Sequence, residues 1–253
     1  MSGDHTQPPS DGNALLTAEN VGVSFGKTDV LEDVTATVEP GQVVGLVGPN
    51  GSGKTTLLRV LAGLLGPTHG TVTYGTDAER PVGYLPQTPA FRPRFTVAET
   101  LQFYADLARC ERDVADILDE VGLSAAADRR VEALSGGMTR LLGIAQATVG
   151  DPPLTMLDEP ISGLDPEMAD RIFQTVADLA SEDGSVLLAT HDISGLEAVA
   201  DHVLLLDEGR IEASGSPASL RETAGTETLR EAFSVLVDRG TVAAAQVGRG
   251  GSR

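Results

Sequence analysis

The chain has 253 residues, 41% of them apolar, and a formal net charge of −19 from 37 acidic against 18 basic residues, with Lys27 and Lys54 its only lysines. That apolar share is enough for one catalytic unit with a smaller inserted subdomain, whereas so acidic a surface repels phosphate backbones and argues against a nucleic-acid binder. A single cysteine, Cys110, leaves no intrachain disulfide, nothing suggests a zinc cluster, no run of about 18 apolar residues occurs, and residues 1–13 lack a basic, apolar leader, so the expectation is a chain of a reducing compartment that neither spans a membrane nor is secreted.

Taken in chain order, residues 1–13 are polar and read as a loose tail. Leu15 to Val38 is rich in short β-type runs and predicts an antiparallel sheet that carries Phe25. The apolar run Val43 to Val47 predicts a buried strand, and it leads into Gly48-Pro49-Asn50-Gly51-Ser52-Gly53-Lys54-Thr55-Thr56, a phosphate-binding P-loop. The residue types follow from the chemistry. Glycines let successive backbone N–H groups turn inward around phosphates, and the loop opens a helix whose positive dipole end favours an anion. Lys54 adds charge at the β and γ phosphates, and the Thr55 hydroxyl can ligate Mg²⁺.

Beyond the Pro-bounded loop Gly83-Tyr84-Leu85-Pro86-Gln87, residues 88–148 change character. Val97 to Tyr104 and Val114 to Val121 carry apolar residues at helical spacing, which predicts an inserted helical subdomain. Within it Ser135, Gly136 and Gly137 precede the run Met138 to Ala147, a good helix start with Ser135 as cap, and a capped N-terminus with unpaired N–H groups is an anion site. Leu154 to Leu157 then leads into Asp158-Glu159-Pro160, a Walker B strand in which Asp158 holds a metal beside Thr55 and Glu159 is the candidate base that polarises the attacking water. A further apolar strand, Val186 to Ala189, delivers His191 at its C-terminal edge. Thr226 to Val237 predicts one extra amphipathic helix packed on its own domain, and 241–253 a flexible tail.

Leu134-Ser135-Gly136-Gly137, just before the Walker B segment, resembles the signature sequence of ATP-binding cassette (ABC) ATPases. The resemblance runs from roughly Ala14 to Leu220 with landmarks in family order. It implies an α/β fold: a P-loop NTPase parallel sheet core with an N-terminal antiparallel β subdomain and an inserted helical signature subdomain. The domain would span 14–222, with 88–148 as its helical part and 223–240 as a C-terminal helical extension. By the same resemblance, Phe25 stacks on adenine, Gln87 is the Q-loop residue that touches Mg²⁺ or the attacking water, and His191 is the switch histidine at the γ-phosphate. Ser135, Gly136 and Gly137, with Asp165 of the D-loop Ser162-Gly163-Leu164-Asp165, bind the ATP held by the opposite subunit. Three departures from the family pattern stand out: Met138 replaces the usual Gln, Leu141 interrupts the basic pair after Arg140, and Gly163 stands where Ala is commoner.

One P-loop supplies half of each ATP site, so the resemblance implies a dimer of such chains or of two related ones. The function it implies is the ATP-hydrolysing subunit of a membrane transporter, using ATP and Mg²⁺, held at the cytoplasmic face of the cell membrane by a separate permease. The loop at Gln87 followed by Phe95-Thr96-Val97-Ala98-Glu99, and Met138, look most like ATPases paired with ABC-2-type export permeases, some of which serve copper-site maturation of nitrous oxide reductase. A soluble ABC ATPase of the iron–sulfur assembly type, also a single cassette, is the competing class. Acidic excess with lysine nearly eliminated also resembles proteins of salt-accumulating halophiles, in which concentrated salt screens self-repulsion.

Overall fold

The structure is a computed structural model that describes residues 14–180 and 184–237. The tails expected at 1–13 and 241–253, and the end of the extension at 238–240, lie outside the described residues. Two sheets organise the chain. The smaller is antiparallel: β1 (Leu16–Phe25) is flanked by β2 (Thr28–Val38) and β4 (His69–Tyr74). The larger has six strands in the order β5 (Val82–Leu85), β6 (Leu154–Asp158), β7 (Ser185–Thr190), β3 (Val43–Val47), β8 (His202–Asp207) and β9 (Arg210–Gly215). Its first five strands run parallel, and only β9 returns antiparallel beside β8.

The near-continuous apolar composition of β3, β6 and β7 follows from their central position, because a parallel strand covered on both faces needs apolar side chains at every position. All of their residues are buried. Within β3 the two-residue period divides the side chains: Val43 and Val47 join one hydrophobic cluster with the helices, and Val44 and Leu46 join the other with the antiparallel sheet. The first cluster holds α2 (Val97–Ala108), α3 (Val114–Glu120), α4 (Gly136–Thr148) and α5 (Pro166–Leu179), and the second holds α1 (Lys54–Leu61).

Local chemistry sets where the helices begin. Thr96 and Glu99 form a reciprocal capping box at the start of α2, with Thr96 Oγ1 accepting from Glu99 N and Glu99 Oε2 from Thr96 N. Asp165 caps α5 and Pro166 occupies its first turn, where the missing N–H costs nothing. The helix expected from Thr226 is helical over 229–237. A second capping box causes the later start, since Thr228 and Glu231 exchange the same pair of hydrogen bonds at 3.2 Å. Leu229 and Ala232 are fully buried in the first cluster, and Glu197 accepts from Leu229 N at 3.1 Å, so this helix packs on the domain that precedes it.

Candidate active site

The C-terminal ends of β3, β6 and β7 lie side by side, and the polar residues that follow them converge. After β3 the chain enters the loop Gly48 to Gly53, whose positive φ values at Gly51 (86°) and Gly53 (105°) are accessible to glycine at little cost. The β8–β9 turn supports the loop from behind, with Gly209 N donating to Ser52 O at 3.1 Å. Gly53 caps α1 without a side-chain hydrogen bond, so the first N–H groups of that helix are left for a ligand. The loop and Lys54, Thr55 and Thr56 form one wall of a cleft of about 400 Å³, to which Val30, Gln87 and Glu159 contribute. Ser52 Oγ is buried within the loop without a hydrogen-bond partner and does not line the cleft.

The charged groups of the cleft interlock. Lys54 Nζ donates to the carbonyl oxygens of Gly48 (2.8 Å) and Pro49 (3.2 Å) and lies 3.5 Å from Glu159 Oε1. Glu159 Oε2 is in turn 2.7 Å from His191 Nδ1, just after β7. Asp158 is fully buried, and Thr55 Oγ1 donates to its Oδ1 at 3.1 Å. Burial pushes the Asp158 carboxyl above the ordinary carboxylate range, and hydrogen bonds from Thr55 and Tyr84 pull it partly back. Successive strand residues point to opposite faces, yet Asp158 and Glu159 both reach the phosphate loop. The backbone supplies the reason: Glu159 has a φ of 49°, a left-handed conformation that costs a non-glycine residue about 1–2 kcal/mol. A hydrogen bond from its N–H to Ala189 O at 2.9 Å holds that turn against β7.

Ser135, Gly136, Gly137, Asp165 and Phe25 do not line this cleft. Ser135 caps α4 by accepting from Met138 N at 3.2 Å, and Ser135 and Gly136 are exposed. Asp165 is exposed at the head of α5, and the two helix starts touch: a methyl on Gly137 would lie 2.4 Å from Met168 Cγ. The site residues therefore form two groups, one around the loop and one at the paired N-termini of α4 and α5. Phe25 ends β1 at the hairpin tip, in register with Thr28, and is 56% exposed, so it is not a core aromatic. Gln87 lines the cleft, and its main-chain oxygen accepts from the Arg140 guanidinium of α4. Three contributors escaped sequence reasoning in these roles: Tyr84, Arg59 and Arg140. Only position in the fold brings a strand tyrosine, a helix arginine and a second arginine from the inserted subdomain up to the same carboxylates.

Mg²⁺ with 2.0–2.1 Å bonds sets neighbouring ligand oxygens about 3.0 Å apart in an octahedron, close to the 3.1 Å between Thr55 Oγ1 and Asp158 Oδ1, so a hydroxyl and a carboxylate are spaced to share such an ion. A parallel sheet with a phosphate loop after its central strand and adjacent acids at the end of a neighbouring strand defines a P-loop nucleoside triphosphatase.

Comparison with known proteins narrows the class. The family model described as ABC transporter matches residues 31–162. The chain is 36% identical over 220 residues to the Nod factor export ATP-binding protein I of Cupriavidus metallidurans, covering 82% of this chain and 73% of that protein. It is 30% identical over 228 residues to the linearmycin resistance ATP-binding protein LnrL of Bacillus subtilis, covering 85% and 73%. A solved structure of the ATP binding subunit of an ABC transporter superposes with a TM-score of 0.77 at 29% identity over 88% of this chain and 99% of that one, and the ADP conformation of the cassette MJ1267 with 0.75 at 26% over 83% and 94%. The chain belongs to the ABC transporter family, as its ATP-binding and ATP-hydrolysing subunit. Among the described residues no helix is long and apolar enough to cross a membrane.

Proposed function

We propose that two such cassettes close head to tail over two ATP molecules and drive a separate permease at the cytoplasmic face of the cell membrane, with 14–222 as the ATPase domain. The observation that supports this reading is the division of the site residues. Lys54, Thr55, Gln87, Asp158, Glu159 and His191 gather around or beside one cleft, while Ser135, Gly136 and Asp165 stand exposed at two adjoining helix N-termini outside it. Those helix starts suit the γ-phosphate of an ATP bound by a partner cassette. In this arrangement Gly48 to Thr56 wrap the phosphates and Phe25, free at its hairpin tip, takes the adenine face.

The interlocked charges give the chemistry its order. Arrival of the γ-phosphate competes for Lys54, drawing it from the loop carbonyls and from Glu159. Glu159, still oriented by His191 and by its left-handed turn, is then free to accept a proton from the attacking water. Thr55 and Asp158 would hold Mg²⁺, which neutralises charge developing on the phosphates, with Gln87 at the edge of the cleft nearby. The Arg140 contact to Gln87 gives that loop a mechanical link to the helical subdomain and so to the permease. Export is the proposed direction, on the printed names of the relatives, which concern Nod factor export and linearmycin resistance. Copper-site maturation of nitrous oxide reductase rests only on the resemblance of the Gln87 loop, the segment Phe95 to Glu99 and Met138.

The test is light scattering of Glu159→Gln in concentrated salt, with and without Mg-ATP. The expected result is a monomer-to-dimer shift that disappears on adding Ser135→Arg. ATP binding with no change in mass would remove the homodimer, and a shift that survives Ser135→Arg would remove the trans assignment.

A further inference from the structure

The two oxygens of the Asp158 carboxylate are used differently. Oδ1 faces the Thr55 hydroxyl at 3.1 Å, and Oδ2 accepts from the Tyr84 phenol at 3.3 Å. Tyr84 stands on β5, the edge strand beside β6, paired in register with Met156, two residues ahead of Asp158. The Arg59 guanidinium lies nearby, and its positive charge bears on both the Tyr84 hydroxyl and Asp158. Arg59 lies four residues beyond Thr55 on α1, hence one turn further along the same helix face. The Asp158 carboxylate is therefore held at both oxygens, by a helix hydroxyl on one side and a strand phenol on the other, with the Arg59 charge beside them.

Two such donors do something a single contact cannot. The terminal torsion of an aspartate is broad, so one hydrogen bond at Oδ1 leaves the carboxylate plane free to swing. A second donor at Oδ2, carried on the neighbouring strand, removes that freedom. Groups behind a ligating carboxylate commonly set how well it binds its ion. We propose that Tyr84, steadied by Arg59, is a positioning residue that holds the Asp158 carboxylate with Oδ1 turned to Thr55 and thereby sets the affinity of the site for a divalent cation. The inference rests on the proposed assignment of Thr55 and Asp158 as the cation ligands. Tyr84 does not line the nucleotide cleft, so its effect reaches the site through Asp158.

The experiment uses the full chain, in excess over the imido analogue of ATP so that nearly all nucleotide is bound. Mn²⁺ is titrated in, and free ion is counted by electron paramagnetic resonance. Tyr84→Phe keeps the ring and deletes only the hydroxyl. It should loosen Mn²⁺ about 10-fold or more, with affinity for the analogue in EDTA unchanged within about twofold, and Arg59→Met should shift Mn²⁺ the same way by a smaller factor. Asp158→Asn is the reference for loss of a ligand. If Asp158→Asn loses Mn²⁺ while Tyr84→Phe holds it as wild type does, the positioning role is overturned and the ligand assignment stands. If Asp158→Asn holds Mn²⁺ like wild type, the assignment beneath the inference falls. An equal loss of analogue affinity in EDTA for Tyr84→Phe would mean general distortion of the cleft and would also overturn the role, and an unchanged Arg59→Met would remove Arg59 from it.

Discussion

Replacing Gly48 with alanine tests how firmly the phosphate loop is held from behind. A methyl group at this position would stand 2.1 Å from the Leu206 carbonyl oxygen and 2.6 Å from Ser52 Oγ. Carbon and carbonyl oxygen normally meet at about 3.3 Å, so roughly 1 Å has to be found somewhere. Leu206 cannot supply it, because it is fully buried on β8, a strand hydrogen-bonded to β3 on one side and β9 on the other. The loop therefore moves. Overpacking of this kind costs about 1–3 kcal/mol, and the upper end applies where the obstacle is backbone. At about 2–4 °C per kcal/mol for a chain of this size, a loss of roughly 3 kcal/mol lowers Tm by ~6–12 °C. A phosphate shifted by about 1 Å relative to Asp158 and Glu159 also lowers turnover roughly 100-fold. Gly51 is the control, since a methyl there meets nothing within 4 Å and the cost is confined to its φ of 86°. That cost is about 1 kcal/mol, or ~2–4 °C. Circular dichroism melts of the two variants in concentrated salt, with phosphate release measured alongside, decide the matter. A Gly48→Ala protein that melts within about 2 °C of wild type would refute the steric argument.

Asp158→Asn should raise the Tm of the nucleotide-free chain at neutral pH while abolishing Mg²⁺-dependent turnover. Burial holds the folded carboxyl above its unfolded value, so the charged form costs stability at neutral pH, and that cost fades as pH falls through the raised value toward the ordinary carboxylate range; a lower Tm for the variant would contradict this. Arg140→Leu removes a charge-assisted hydrogen bond to the Gln87 carbonyl worth about 1.5 kcal/mol, so kcat should fall roughly 10-fold with KM for ATP little changed, and Arg140→Lys should recover part of the loss. An ATPase assay in which KM rises and kcat holds would assign Arg140 to nucleotide binding instead. With a net charge of −19, the chain should lose secondary structure in dilute buffer and regain it near 1 M salt, where the Debye length shrinks to about 3 Å; a circular dichroism spectrum unaltered in dilute buffer would end the halophile proposal.

Much of this molecule was legible in one dimension because its chemistry is local. The phosphate loop, the acids after β6 and the Ser135 cap of α4 depend on residues within a few positions of one another, so spacing alone identifies them. The last described helix, expected from Thr226, starts at Leu229 because the reciprocal Thr228–Glu231 bonds set its first turn.

The sequence by itself determined that a buried parallel sheet carries a phosphate loop, that two adjacent acids follow one of its strands, and that a helical segment with a glycine-rich capped start lies between them. Residue order and period are enough for these, since each arises from backbone geometry along one stretch of chain. Tertiary structure alone decided which groups share a cleft. Tyr84 reaches Asp158 because β5 pairs with β6, Arg140 reaches Gln87 because α4 packs beside β5, and Glu159 meets Lys54 because its backbone turns left-handed where a strand would have pointed it away. Contacts across long separations depend on strand order and on single dihedral angles, and neither leaves a periodic trace in the residues themselves.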